Sequence, residues 1–341
     1  MAAIDCGTNS IRLLVADLPD PAAGATAPLV DVLRRMEIVR LGQDVDRTGR
    51  LAPEAIERTR ATLADYAAEI ELLGAEQVRM VATSASRDAE NADEFRAMVL
   101  RTLGVEPEVV SGDEEARLSF TGAVRGLPAD VPAPFLVVDI GGGSTEFVVG
   151  SRTDPAAGAS APGGPTRAGG DPVGGLARAG AGAAGVAVHA AVSVDVGCVR
   201  MTERHLHDDP PSAAELAAAE ADVTAAVDRA LAAVPGREAA TLVGLAGSVT
   251  TVAAIALGLG GYDPERIHHA RISYDEVAKV TADLLARTSA QRLEIPVMHP
   301  GRADVIGAGA LVLQTIMRRA GKDAVIASEH DILDGIAYGL L

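Results

Sequence analysis

Phe135-Leu136-Val137-Val138-Asp139-Ile140-Gly141-Gly142-Gly143-Ser144-Thr145-Glu146 is the stretch whose reading decides the fold. Phe135 to Val138 is an unbroken apolar run, as expected of a strand buried on both faces. Asp139 ends it, the three glycines make a tight turn, and Glu146 to Val149 reads as a returning strand. A shorter version opens the chain. Ala2-Ala3-Ile4-Asp5 is an apolar strand, Cys6-Gly7-Thr8-Asn9-Ser10 a polar turn, and Ile11 to Asp17 the return. The repetition predicts two related halves, each beginning with strand, Asp, turn and strand.

Between these units strands alternate with helices, which indicates an α/β architecture. Pro53 to Leu73 has helical periodicity, with Pro53 in the first turn and Gly74 as the stop. Val78 to Ala82 is a strand, and Thr83-Ser84-Ala85-Ser86-Arg87 is the polar loop after it. Asn91 to Glu94 and Ser111 to Glu114 read as capping boxes, opening helices to Gly104 and about Val124, with a strand from Val105 to Val110 between them. After the Pro-rich segment from Pro128 to Pro134, Val186 to Val196 and Leu242 to Ala246 read as strands. Ala213 to Val234, Asp304 to Ala320 and Asp331 to Leu341 read as helices. The expected division is residues 1–124 and 125–326, with 327–341 packing back on the first domain. Thr153 to Gly185 is an Ala, Gly and Pro tract without periodicity, predicted to be a disordered insertion.

The 341 residues carry a formal net charge of −17. A nucleic-acid binder needs a basic field, so that class is excluded. A polyanionic small substrate is not, provided a local positive patch or a cation meets it. Cys6 and Cys198 form no CxxC pair, which fits a reducing, cytoplasmic setting. Met1-Ala2-Ala3-Ile4 has no charged or apolar leader region and predicts no signal peptide. The uncharged stretch from Thr241 to Tyr262 holds several glycines and hydroxyls, and reads as strand, turn and buried helix, not as a membrane span.

Both Asp-Gly turns suit phosphate: glycine lets backbone N–H groups approach an anion, and adjacent hydroxyls add donors. The Asp at each strand end can hold a divalent cation. Glu114 occupies the capping position of its helix, whereas Glu115 has no such task. Glu115 could take a proton from water attacking phosphorus, and its spacing equally fits a solvated first-turn carboxylate. Arg87 and Arg302, both on polar loops, could clamp phosphate oxygens or lie at the surface.

Together these segments resemble the exopolyphosphatase / guanosine pentaphosphate phosphohydrolase (Ppx/GppA) family, of its short two-domain type. The resemblance rests on AIDCGTNSIRLLVAD, MVATSASRDAENADEF, VSGDEEARL, VVDIGGGSTEFVVG, SVDVGC, GLAGSVTTVAA and the stretch from His299 to Leu311. It implies two actin-like (ribonuclease H-like) domains with the active site in the cleft between them. It further implies Glu115 as the base that activates water, and Asp5, Asp139 and Glu146 as the acidic residues that organise Mg²⁺. Asn9, Ser10, Arg87, Gly142, Gly143, Ser144, Thr145 and Arg302 are implied as phosphate-binding. The implied substrate is inorganic polyphosphate, in short chains, or alternatively guanosine pentaphosphate; a non-hydrolysing sensor and an ATP-dependent kinase are the rival readings. A monovalent cation and a homodimer are compatible with the resemblance, a membrane partner is not.

Overall fold

The structure, a computed structural model, describes residues 1–17, 29–153 and 185–340. The insertion expected at 153–185 therefore lies, apart from its end residues, outside the described residues.

Two sheets form the frame. The first has β1 (Ala2–Cys6), β2 (Ser10–Asp17), β3 (Val30–Ile38), β4 (Val78–Ala82) and β5 (Glu108–Val109), in the order β3-β2-β1-β4-β5. The second has β6 (Phe135–Ile140), β7 (Thr145–Arg152), β8 (Val186–Val194), β9 (Thr241–Leu245), β10 (Arg271–Ser273) and β11 (Ala324–Ala327), in the order β10-β11-β9-β6-β7-β8. Read from β8, the second sheet repeats the first: three antiparallel strands, then a strand running parallel to the central one. The central strands β1 and β6 are buried along their whole length, which explains why each is apolar but for one carboxylate, Asp5 and Asp139, next to its last residue.

Helices cover both faces. α1 (Val45–Thr48), α2 (Pro53–Leu72), α3 (Ser84–Asp88) and α4 (Ala92–Leu103) belong to the first half. Leu63, Tyr66 and Ile70 of α2 and Phe95, Met98 and Val99 of α4 pack on the first sheet. α6 (Cys198–His205), α7 (Ala213–Ala233), α8 (Ala246–Ala256), α9 (Pro264–Ile267), α10 (Tyr274–Ala286), α11 (Ser289–Arg292) and α12 (Ile306–Ala320) follow in the second half. The stretch tested for a membrane span is β9 followed by α8, and among the described residues no helix is long and apolar enough to cross a membrane.

The two remaining helices exchange sides. α5 (Gly112–Arg125) sends Ala116, Phe120, Ala123 and Val124 onto the second sheet, although the sequence division assigns it to the first domain. α13 (Ile332–Tyr338) returns Ile332, Leu333, Ile336 and Ala337 to the first sheet, against Ala3, Leu14 and Val81. The helices cross on glycines: a Cβ on Gly122 would lie 1.8 Å from the Asp331 carbonyl oxygen, and one on Gly335 2.0 Å from that of Leu118.

Several local expectations need correction. Asn91 does not cap α4: its side chain is spent on Leu51, accepting from the Leu51 N–H at 2.8 Å and donating to the Leu51 carbonyl at 3.1 Å. Ser111 does cap α5, accepting from the Glu114 N–H at 3.2 Å. The strand expected over Val105 to Val110 shrinks to two residues, and the helix expected from Asp304 begins at Ile306, after a 3₁₀ turn at Pro300–Arg302. Arg87 sits on the short helix α3 and not on a loop. β3 goes unpredicted because it is an exposed edge strand whose Arg34, Arg35 and Glu37 break the apolar alternation.

Candidate active site between the halves

The β1–β2 and β6–β7 turns are built alike. Gly7 N donates to the Ser10 carbonyl at 2.9 Å, and Gly141 N to the Ser144 carbonyl at 3.1 Å. The turns meet across the cleft. A Cβ on Gly142 would stand 2.9 Å from Thr8 Cβ, and one on Gly143 2.8 Å from both Thr8 Oγ1 and Ser84 Oγ. The close contact between the halves thus leaves no room for a side chain at either glycine. On the first half's side of this seam, Thr8 and Ser84 share a hydroxyl–hydroxyl bond of 2.9 Å.

A cavity of about 90 Å³ opens beside this seam. Of the residues expected to bind phosphate or cation, Asp5, Asn9, Ser10, Asp139, Gly142, Ser144 and Arg302 line it, and Glu115 reaches it from α5. Four do not line it, each for a visible reason. Thr145 is fully buried, its hydroxyl donating to the Val196 carbonyl. Gly143 turns its carbonyl to Arg200 Nε, 2.8 Å away. Glu146 is the cross-strand partner of Asp139 and accepts from Ser193 Oγ at 2.8 Å. Arg87 is engaged by the Val110 carbonyl and by Glu115 Oε2, both at 3.1 Å.

The acidic residues are held differently. Arg12 donates to Asp5 Oδ2 through Nε at 3.0 Å and Nη2 at 2.6 Å, and its third nitrogen reaches Asp331 at the start of α13. Ser119, one turn beyond Glu115, donates to Asp139 Oδ2 at 2.6 Å. Burial dominates their acidity. It pushes Glu115 up to about 8, with Arg87 opposing and Asp139 assisting. Burial, with Asp331 next, lifts Asp139 to about 6. Burial also raises Asp5 against the pull of Arg12, and raises Glu146 well above the ordinary range, with Glu115 and Asp139 adding to the effect.

The sequence reading overlooked several cavity residues: Arg12, Thr83, Ser84, Cys198 and the Ala246-Gly247-Ser248 opening of α8. Some left a signal. Arg12 interrupts an otherwise apolar strand, and a helix that opens on Ala-Gly-Ser offers free N–H groups to an anion. Arg200 is a further case. Besides Gly143 it pairs with Asp46 at 2.6 Å and Asp88 at 2.7 Å, so a residue of α6 fastens the second turn to the first half.

The description of the Ppx/GppA phosphatase family matches residues 21–168 and 181–341. The chain belongs to that family. Over 349 aligned positions this Ppx/GppA phosphatase is 47% identical to exopolyphosphatase 2 of Mycobacterium tuberculosis, covering 100% of this chain and 98% of that one. Among solved structures it is similar to an exopolyphosphatase-like protein, with a TM-score of 0.84 at 41% identity, covering 98% of this chain and 97% of that one. The Aquifex aeolicus Ppx/GppA family member matches with a TM-score of 0.74 at 28% identity, over 99% of this chain and 96% of the other. The fold is accordingly the actin-like pair of ribonuclease H-like halves, and membership of a phosphatase family makes the protein a hydrolase acting on phosphoanhydride bonds.

Proposed function

We propose that this Ppx/GppA member is an exopolyphosphatase that releases terminal orthophosphate from inorganic polyphosphate. The observation that carries the reading is Glu115: a helix-borne carboxylate, 8% exposed, opening into the same cavity as both glycine turns. A terminal phosphate seated there meets backbone N–H groups of the turns, the Ser10 and Ser144 hydroxyls and the Arg302 guanidinium. These groups are fixed before the substrate arrives, so they stabilise charge without reorganising. Glu115 takes a proton from a water held beside it. The water oxygen bonds to the terminal phosphorus, the bridging P–O bond on the opposite side breaks, and the shortened chain departs with that electron pair. Orthophosphate is the other product. Positioning and electrostatics carry such a reaction, with little covalent work left to the protein.

The residues present fit a divalent cation. Asp5 Oδ1 and Asn9 Oδ1 are buried with no hydrogen-bond partner, and Asp139 shares their cavity. These are hard oxygen donors of the sort Mg²⁺ takes. Bound at Asp5 and Asp139, it would neutralise phosphate charge and favour the ionised form of the carboxylates around it.

The test is orthophosphate release from tripolyphosphate with Mg²⁺, by the wild type and by Glu115→Gln. Loss of general-base help lowers kcat by about 10²- to 10⁴-fold. Wild-type protein that releases no phosphate, or a Gln variant with unchanged kcat, overturns the reading. Guanosine pentaphosphate assayed in parallel separates nucleotide from inorganic chain.

A further inference from the structure

A second cavity, of about 140 Å³, adjoins the first and shares Arg12, Ala246, Gly247 and Arg302 with it. Arg34 of β3 on the first half, and Tyr262 and Glu329 on the second, line this cavity alone. Its charges are unequally committed. Arg12 is held by Asp5 and Asp331, and Arg34 by Asp31 and by Asp334 at 2.6 Å. Arg302, in the shared wall, has only the Thr251 hydroxyl at 3.3 Å, and among the described residues no carboxylate pairs with it. It lies flat on Gly247, where a Cβ would come within 2.4 Å of its Cζ. Of the two wall carboxylates, Asp331 is neutralised by Arg12, while Glu329 accepts only the Tyr262 hydroxyl at 2.7 Å. That hydroxyl is also 2.7 Å from Thr250 Oγ1, so it is fixed between Thr250 and the carboxylate; burial holds the Glu329 carboxyl above its ordinary range, with Tyr262, Arg302 and Arg34 opposing that shift.

We infer that the second cavity seats the phosphates behind the scissile bond, and that Glu329 sets how far an anionic chain extends into it. The inference rests on the exopolyphosphatase reading of the first cavity. With the terminal phosphate in the first cavity, the next crosses the unpaired Arg302 and is attracted. A phosphate carried further from the shared wall approaches Glu329, which Arg302 and Arg34 influence from a distance but with which, among the described residues, no arginine forms an ion pair, and is repelled. Attraction at the junction and repulsion beyond it make short chains the better substrates. The shared chemistry is a phosphoanhydride tail, inorganic or attached to a nucleoside.

The experiment compares kcat/KM for tripolyphosphate with that for a chain of several tens of phosphates, in the wild type, Glu329→Gln and Glu329→Ala. Removing one charge at such range in a partly buried site raises the long-to-short ratio by about tenfold. Because the readout is a ratio within each protein, partial loss of folded enzyme does not move it. An unchanged ratio in both variants overturns the inference. So does a selective loss of guanosine pentaphosphate turnover with the chain ratio unmoved, which would make Glu329 a reader of the nucleobase. If the wild type hydrolyses no chain at all, the exopolyphosphatase reading fails by itself. Calorimetric affinities for the same two chains then test the cavity: a ratio shifted in the variants supports it, and an unshifted one overturns it.

Discussion

Arg87 Nη1 lies 3.1 Å from Glu115 Oε2 and an equal distance from the Val110 carbonyl, so the guanidinium that holds the proposed base is itself held by the backbone just before α5. An arginine that the resemblance assigns to phosphate thus has a defined partner in the protein. Its charge favours the ionised form of Glu115, against the effect of burial.

Replacing it by methionine should therefore move the acid-side limb of catalysis. With Arg87→Met the carboxylate holds its proton to higher pH, and the rising limb of kcat against pH shifts upward by about one unit. Arg87→Lys, which keeps the charge, shifts it less. A profile that drops in height without moving along the pH axis would assign Arg87 to phosphate alone.

The buried carboxylates should make the cation-free protein less stable as pH rises. Glu115 and Asp139 have folded-state values raised to about 8 and about 6, from 4.5 and 3.8. Raised values contribute stability that is fully present below the unfolded values and is lost as pH climbs through the folded ones. In chelator, thermal stability should fall from about pH 4 to pH 8, Asp139 contributing up to about pH 6 and Glu115 up to about pH 8, each by on the order of 1 kcal/mol per pH unit within its own window. Mg²⁺ should flatten that decline. Melting curves that rise over this window in chelator, or that Mg²⁺ leaves untouched, contradict the account.

Where α5 and α13 cross there is no room for a methyl group. Gly335→Ala places Cβ 2.0 Å from the Leu118 carbonyl oxygen by the unrelaxed geometry, and Gly122→Ala is tighter still at 1.8 Å from that of Asp331. Both obstacles are backbone, so relief requires the helices to separate. Each change should cost roughly 2–3 kcal/mol, read as a lower denaturant midpoint. A midpoint equal to wild type would show that the crossing is looser than drawn.

Arg200 should matter for substrate binding more than for the chemical step. It ties Gly143 to Asp46 and Asp88 across the cleft and does not itself line the cavity. Arg200→Ala lets the two turns part, and the competent arrangement becomes a smaller fraction of the population. We expect KM to rise by about tenfold while kcat changes little, and Arg200→Lys to rescue only partly because it lacks the fork. A fall confined to kcat would place Arg200 in the reaction itself.

What the sequence disclosed and withheld follows from distance along the chain. The Asp5 and Asp139 turns were legible because strand, acid and glycine are neighbours in sequence and carry their own periodicity. Glu115 was legible only in its motif, since a first-turn carboxylate has a solvated explanation until its burial is seen. The Arg12 link to Asp331 joins residues 319 positions apart, and no local pattern announces it. Thr145 and Gly143 sit in the correct motif yet turn away from the cavity, because a strand alternates its faces and a turn has an inside and an outside. β3 was hidden by its position at the edge, where water tolerates arginine on a strand.

The exchange of α5 and α13 ties the order of synthesis to the order of assembly. The residues that seal Ala3, Leu14 and Val81 on the first sheet are translated only after every strand of the second sheet has been made. A nascent first half therefore emerges with one greasy flank uncovered, and it reaches its final form together with its sibling. Unfolding by heat should accordingly give one calorimetric peak for the entire molecule; two resolved peaks would mean that each half closes on its own.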